Sequence, residues 1–287
     1  MNKLPAWFKQ PIPDKGTLSW ATEFGIHTVC QEARCPNLGE CFKNSRLTFM
    51  ILGGICTRNC RFCAVEKRDI QPLAFDAAEP WRVAQAVKEL GLRYVIITAV
   101  TRDDLADGGA GQFAQTLELI HQIDREIKVE VLIPDFQGRT TSLQRLLAAQ
   151  PAVVAHNLET PRRLYQQVRP KADYALSLGL LGRIKRLQPS VITKSSLILG
   201  LGENEPEVIA TMQDLRRSQC DILTLGQYLA PSFRHYPVKE FISEEQFHKF
   251  KEIGLTLGFL AVLSGPRVRS SYQAEELYRE LKEPCMM

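Results

Sequence analysis

The sequence predicts an α/β fold in which parallel strands alternate with helices to make a partial (β/α)6-type barrel, with an N-terminal extension before it and a C-terminal tail after it. Three observations predict it. The 287 residues are 45% apolar and 24% charged, a composition that buries a large core and does not belong to a disordered chain. From about residue 46, short β-rich apolar runs alternate with longer segments of helical period, the pattern of βα units rather than of hairpins. Polar clusters recur just after the apolar runs, at the strand ends where barrels and doubly wound sheets alike carry their reactive groups.

Residues 48–52 read as the first strand, closed by Gly53-Gly54. Residues 79–90 read as a helix, with Pro80 in the first turn, where its missing N–H costs nothing, and Gly91 as the stop. Then follow strand 94–99, helix 110–125, strand 128–133, helix 140–149 and the short strand 152–155. Two helical stretches, 161–167 and 173–187, precede strand 191–199, helix 205–217, strand 221–225, helix 243–254 and the apolar run 259–263. Six or seven strands of one orientation fall short of a closed eight-stranded barrel, so an open or partial barrel fits best. A doubly wound sheet also fits, because strand order is not written in the sequence. Residues 1–45 stand outside the alternation, 46–262 form the barrel, and 263–287 form a tail carrying Arg269-Ser-Ser-Tyr272.

Several classes are excluded on the same grounds. No run approaches the 18 or more apolar residues of a membrane span, and the N-terminus carries Pro5, Pro11 and Pro13 in place of an apolar signal core. No membrane partner and a reducing, cytoplasmic setting are expected. A formal net charge of +4 without a block of like charges gives no reason to expect nucleic acid.

Of eight cysteines, six fall within residues 30–63. Cys56, Cys60 and Cys63 have the spacing C-x3-C-x2-C, directly after the first strand and its Gly-Gly turn. Three thiolates on one short loop can hold three irons of a cubane and leave the fourth iron open to an outside ligand. Cys30, Cys35 and Cys41 make a second triad, C-x4-C-x5-C, on a segment that Pro36, Asn37 and Gly39 allow to bend. That triad also falls one short of four, and Cys220, Cys285, a hydroxyl oxygen or an external molecule could complete it. Zinc is the alternative for both sets, although its structural sites usually pair two cysteine knuckles and take four protein ligands. Arg34, Lys43, Arg46, Arg58, Arg61, Lys67 and Arg68 crowd the region, and positive charge stabilises an anionic thiolate cluster. Cys220 reads as a small core residue and Cys285 as part of a mobile tail.

Asn157 and Glu159, just after a strand, are placed to hydrogen-bond a ribose or an amino group, and Asp103, Asp104 and Glu203 occupy comparable strand ends; capping and loop hydrogen bonds are the alternative use of all five. Lys194 and Arg269 could meet a carboxylate or a backbone carbonyl, or equally serve at the surface.

The C-x3-C-x2-C loop after the first strand of a βα barrel resembles the radical S-adenosylmethionine (SAM) superfamily. The preceding C-x4-C-x5-C triad narrows the resemblance to the lipoyl synthase family. Similar segments run along nearly the whole chain: Leu4-Pro-Ala-Trp7, Arg102-Asp-Asp-Leu-Ala-Asp-Gly-Gly109, His156-Asn-Leu-Glu-Thr160, Leu199-Gly-Leu-Gly-Glu203, residues 223–232 and Arg269-Ser-Ser-Tyr272. Two departures are Ser195-Ser196-Leu197-Ile198, where the family is expected to carry Ser-Gly-Leu-Met, and Arg267 where an apolar residue is commoner.

The resemblance implies a sulfurtransferase that inserts sulfur at C6 and C8 of an octanoyl chain carried on a lysine, consuming two SAM molecules per product. It implies two [4Fe–4S] clusters, one on Cys56, Cys60 and Cys63 that binds SAM, and an auxiliary one on Cys30, Cys35 and Cys41 that donates sulfur. The auxiliary cluster's fourth ligand is implied to be a serine of Arg269-Ser-Ser-Tyr272, Ser271 with Ser270 as the fallback, and Ser271 and Arg269 are carried as catalytic. Asn157, Glu159, Asp103 and Lys194 are assigned to the SAM side. Implied partners are an octanoylated lipoyl-carrier protein or domain (the glycine cleavage H protein, 2-oxoacid dehydrogenase lipoyl domains), a reducing flavodoxin or ferredoxin, and an iron–sulfur carrier protein. A sulfur-inserting radical SAM enzyme acting on a free small molecule, similar to biotin synthase, and a non-enzymatic iron–sulfur electron carrier are the rivals.

Overall fold

The computed structural model describes residues 21, 24–43, 47–68 and 74–282. Leu4-Pro-Ala-Trp7, Arg46 and Cys285 lie outside the described residues. The chain divides into two compact units between Val154 and Ala155.

In the first unit, strands β1 (His27–Thr28), β2 (Thr48–Ile51), β5 (Tyr94–Ala99) and β6 (Lys128–Leu132) lie side by side in that order. β2, β5 and β6 are parallel, and β1 is an antiparallel edge on β2. The strands read as near-continuous apolar runs because helices cover a parallel sheet on its faces; Phe49, Ile51, Ile97, Val129 and Val131 are all fully buried. A separate parallel pair joins β3 (Ile55–Cys56) to β4 (Glu66–Lys67). The covering helices are Glu79–Glu89, Ala110–Ile123 and Thr140–Ala148. The first buries Val83, Ala84, Ala86 and Val87, three and four residues apart, on one stripe. Gly109, at φ +90, starts the second against Leu52; a Cβ there would stand 2.2 Å from Leu52 Cδ1. Strand β7 (Val153–Ala155) carries the chain from this unit into the next.

The second unit is parallel throughout: β8 (Ile192–Leu199), β9 (Ile222–Gln227) and β10 (Ala261–Gly265) pair in chain order. Its helices begin where the side chains cap them. Asn204 and Glu207 form a reciprocal capping box at Glu205–Arg217, Asp173 accepts Leu176 N–H at 2.6 Å for Tyr174–Leu187, and Ser243 accepts Gln246 N–H for Glu244–Thr256. The expected helical stretch 161–167 is a 3-10 turn, Arg162–Leu164, followed by a single helical turn, Tyr165–Val168.

Among the described residues, and apart from the small β3–β4 pair, six strands pair in parallel, which with β7 as a seventh matches the expected count, and most element ends fall within two residues of expectation. Three differences have physical causes. The first strand stops at Ile51 because Leu52 turns to φ +70. Residues 1–45 supply one strand after all, since β1 is too short to leave a periodic signature. β10 starts two residues after the apolar run because its register is set by β9, which it meets from Ala261 opposite Ile222 to Gly265 opposite Gly226. The tail, read only as an appendage, contains the helix Ala274–Lys282, which buries Ala274 and Leu277.

Gly226 lets the tail approach β9. The Val268 carbonyl oxygen lies 1.9 Å from where a Cβ on residue 226 would stand. Gly226→Ala therefore lowers stability by about 1–3 kcal/mol, the usual cost of overpacking, and displaces Arg269-Ser-Ser-Tyr272. Denaturant unfolding measures the first effect, and faster amide hydrogen exchange in residues 268–277 the second.

Candidate functional site

The C-x3-C-x2-C loop is tethered at every turn. Leu52, at φ +70, and Gly53, at φ +80, reverse the chain after β2, and the buried Glu79 carboxylate holds the reversal by accepting Leu52 N–H at 2.6 Å and Gly53 N–H at 3.1 Å. Gln112 donates to the same carboxylate at 3.1 Å. Within the loop, Thr57 donates both its N–H and its hydroxyl to Thr101 O, each at 3.0 Å, Arg58 N–H points at Cys56 Sγ at 3.4 Å, and Cys63 N–H bonds Cys60 O at 3.3 Å. Lys67 Nζ donates to Cys63 O at 2.7 Å. The three thiols are close enough to feel one another: burial first, then the charges of Cys60 and Cys56, push the Cys63 thiol up to about 12, with Lys67 opposing.

The second triad behaves alike. Cys30 lies in the turn Val29–Glu32, capped by Thr28, and Cys35 N–H bonds Cys30 O at 3.1 Å, while Cys41 N–H bonds Asn37 O at 2.9 Å. Burial, then the charges of Cys35 and Cys41, push Cys30 up to about 12. Among the described residues no three His, Cys, Asp or Glu side chains close on a single metal ion. The donor chemistry of each set, three mutually repelling thiols on a bent backbone, fits a polynuclear iron–sulfur core whose positive charge makes all three stable as thiolates. Cys220 is fully buried, as a small core residue, and burial raises its thiol further.

Arg58 and its two acceptors form the strongest charge arrangement near the loop. Arg58 pairs Nε and Nη2 with Asp103, the latter at 2.9 Å, and Nη1 and Nη2 with Asp135 at 3.1 and 3.0 Å. Burial opposes the guanidinium charge, but the hydrogen bonds to Asp103 and Asp135 outweigh it and raise Arg58 above its ordinary range. Asp103 is thus turned toward Arg58 and Thr57. Asp104 is taken by the buried Arg102, and Glu203 closes its own turn by accepting Gly200 and Leu201 N–H.

In the second unit the structure brings four of the expected residues together. Ser270 donates its hydroxyl to Asn157 Oδ1 at 3.1 Å, and Asn157 Nδ2 donates to Glu159 Oε1 at 3.0 Å. Arg269 donates to the carbonyls of Val268 and Pro266 and contributes, with Arg169, to the positive field at Glu159. Glu159 sits at φ +68 and is bound to β8 through Ser196 O and Ile198 N–H, both at 2.9 Å. Ser196, where the family pattern expects glycine, is buried. Lys194 is 1% exposed on β8, which removes the surface role. Burial pushes the Glu159 carboxyl up, against the pull of Arg169. A carboxyl raised in the folded state contributes stability below its unfolded pKa and loses it as pH rises through the folded value. Glu159→Gln keeps the bond from Asn157 and removes that loss, so thermal unfolding followed from pH 4 upward flattens in the variant.

The radical SAM superfamily model matches residues 50–215. A lipoyl synthase of Caldanaerobacter subterraneus is 52% identical over 94% of this chain and 95% of its own, and one of Aquifex aeolicus is 53% identical over 88% and 90%. The chain belongs to the lipoyl synthase family. Solved structures share the fold at low identity: SuiB of Streptococcus suis bound to S-adenosylmethionine has a TM-score of 0.60 at 13% identity, covering 90% of this chain and 61% of that one. A maturase of the [FeFe]-hydrogenase has a TM-score of 0.61 at 15% identity; the match covers 82% of this chain but only 53% of the maturase. Lipoyl synthases are radical SAM sulfurtransferases, and membership brings a [4Fe–4S] cluster and SAM as cofactors. It removes the reading as a non-enzymatic electron carrier. Sequence reasoning missed two residues that hold the Cys56–Cys63 loop, Glu79 and Asp135. Asp135 could have been found from its place just past strand 128–133, whereas Glu79 was hidden inside a helix start.

Proposed function

We propose that this lipoyl synthase-family enzyme inserts two sulfur atoms, at C6 and C8, into an octanoyl chain borne on a lysine of a lipoyl-carrier protein, with an auxiliary [4Fe–4S] cluster held by Cys30, Cys35, Cys41 and Ser271 as the sulfur donor. When bound, the SAM-side cluster supplies the electron that cleaves SAM to a 5′-deoxyadenosyl radical, and the auxiliary cluster supplies sulfur. Cys56, Cys60 and Cys63 would hold the SAM-side cluster on a loop tethered by Glu79, Thr57, Arg58 and Lys67. Asn157, Glu159, Lys194 and Asp103 are assigned to the binding of SAM.

The observation that carries the proposal is the second thiol triad, Cys30, Cys35 and Cys41, which can hold a cluster separate from the SAM-side loop in a chain of the lipoyl synthase family. Ser270 is engaged by Asn157, which favours its neighbour Ser271 as the oxygen ligand. An oxygen donor is harder than thiolate and suits a cluster that must come apart. The proposed setting is the cytoplasm, where no helix among the described residues is long and apolar enough to cross a membrane. Proposed partners are the glycine cleavage H protein or a 2-oxoacid dehydrogenase lipoyl domain, a reducing flavodoxin or ferredoxin, and an iron–sulfur carrier protein.

An anaerobic assay tests the proposal. The reconstituted protein, carrying about eight irons per chain for two cubanes, receives reductant, SAM and an octanoyl-lysine peptide. Deoxyadenosine and a thiolated peptide are expected together. Absence of deoxyadenosine sinks the proposal, deoxyadenosine with free octanoate as the better acceptor moves it to a small-molecule substrate, and about four irons with bound zinc returns the second triad to zinc.

A further inference from the structure

Two side chains in the span between Cys56 and Cys60 reach out of the loop, the Thr57 hydroxyl to Thr101 O and the Arg58 guanidinium to two carboxylates. Arg58 has 11% of its side chain exposed, and its guanidinium lies between the carboxylates of Asp103 and Asp135, which are 24% and 3% exposed. Asp103 follows β5 and Asp135 follows β6, so each acceptor stands just beyond the C-terminal end of its strand. Both are themselves fixed. Asp103 N–H bonds Thr57 Oγ1 at 3.1 Å, and Gln137 Nε2 bonds Asp103 O at 3.2 Å. Asp135 Oδ1 accepts Gln137 N–H at 2.9 Å across two residues, Phe136 and Gln137, held at φ +48 and +50. Non-glycine residues adopt that region only when the surroundings impose it, which marks the Asp135 turn as constrained. A guanidinium forked to two carboxylates is a rigid, directional joint, unlike a lysine point charge.

We infer that Arg58 is a positioning residue for the SAM-side cluster: its fork to Asp103 and Asp135 fixes the span between Cys56 and Cys60 against the ends of β5 and β6, and thereby sets where the open iron stands and how readily the cluster is reduced. The inference rests on the reading of Cys56, Cys60 and Cys63 as that cluster's ligands. Arg58 acts in two ways. Geometrically, its own N–H meets Cys56 Sγ, so any movement of Arg58 moves a ligand. Electrostatically, it is the positive partner of two carboxylates beside an anionic cluster, and its removal leaves those charges uncompensated and makes reduction harder.

The test uses the full chain, reconstituted, with Arg58→Lys and Arg58→Gln. The SAM-side cluster is identified as the electron paramagnetic resonance signal of the reduced protein whose g-values move when SAM is added. Arg58→Lys keeps the charge and loses the fork: the midpoint potential stays near native, the SAM-induced change in g-values is altered, and deoxyadenosine formation falls by about tenfold or more, within the range that a misplaced reacting geometry costs. Arg58→Gln also shifts the potential to more negative values. Native signal, potential and rate in both variants overturn the inference, as does a lowered melting temperature with every cluster property native, which makes Arg58 a fold staple only. If Arg58→Gln takes up no iron, Asp135→Asn decides: it retains the Arg58–Asp103 pair and removes one negative charge, so a more positive potential with a slower rate supports the inference and native values overturn it. A native chain with no SAM-responsive signal refutes the ligand reading itself, which separates the two failures.

Discussion

Cys60→Ala abolishes 5′-deoxyadenosine formation. The loss exceeds the ~10–100-fold cost of removing an outer partner of a metal ligand, because one of only three protein ligands is gone and no neighbour replaces it. The fold survives: the turn before the loop is held by Glu79, the loop's ends by the β3–β4 pair, and its middle by Thr57 and Arg58, none of which uses the Cys60 side chain. Iron content falls by about four per chain, the content of one cubane, while far-ultraviolet circular dichroism stays native. Cys56→Ala is the harsher variant, since it also removes the sulfur that Arg58 N–H faces. Retained deoxyadenosine formation by either variant removes this triad from the SAM site.

Ser271→Ala separates the two halves of the reaction. Deoxyadenosine continues to form, because the SAM-side loop is untouched, and the thiolated peptide is lost. Ser270→Ala has the milder outcome: it breaks one hydrogen bond to Asn157, at about 0.5–1.5 kcal/mol, and lowers both products together through the Asn157–Glu159 pair. Ser271→Cys sharpens the contrast, since a softer thiolate holds iron more firmly and slows the release of sulfur. Mass spectrometry of the peptide and chromatography of deoxyadenosine read both arms from one reaction. If Ser270→Ala loses the thiolated peptide and Ser271→Ala does not, the oxygen ligand is Ser270.

What the sequence made legible follows from range. Strands such as Tyr94–Ala99 and the helix Glu205–Arg217, with its Asn204–Glu207 box, are written in contiguous residues, and they fall within a residue or two of expectation. The thiol triads were legible for the same reason: the three cysteines of each set stand close together in the chain. The joints between loops were not. Arg58 meets acceptors 45 and 77 positions away, and Glu79 grips a turn 26 and 27 positions upstream. No local period marks such a partner, so Arg58 read as one more basic residue in a crowded stretch. Gln227 was overlooked likewise: it is wholly buried and ties Leu199, Glu240 and Ile242 together, although strand 221–225 seemed to end before it.

The small β3–β4 pair has a bearing on how the enzyme survives use. Backbone hydrogen bonds alone join Ile55–Cys56 to Glu66–Lys67, so the ends of the loop are brought together without help from any thiol. Closing a loop of that length costs about 2 kcal/mol of chain entropy beyond the constant term, paid once, during folding. On the proposed ligand set, oxygen damage that strips iron from Cys56, Cys60 and Cys63 would leave a receptacle of nearly unchanged shape, and repair would be a matter of delivering iron and sulfide to waiting thiols rather than of refolding the chain around them.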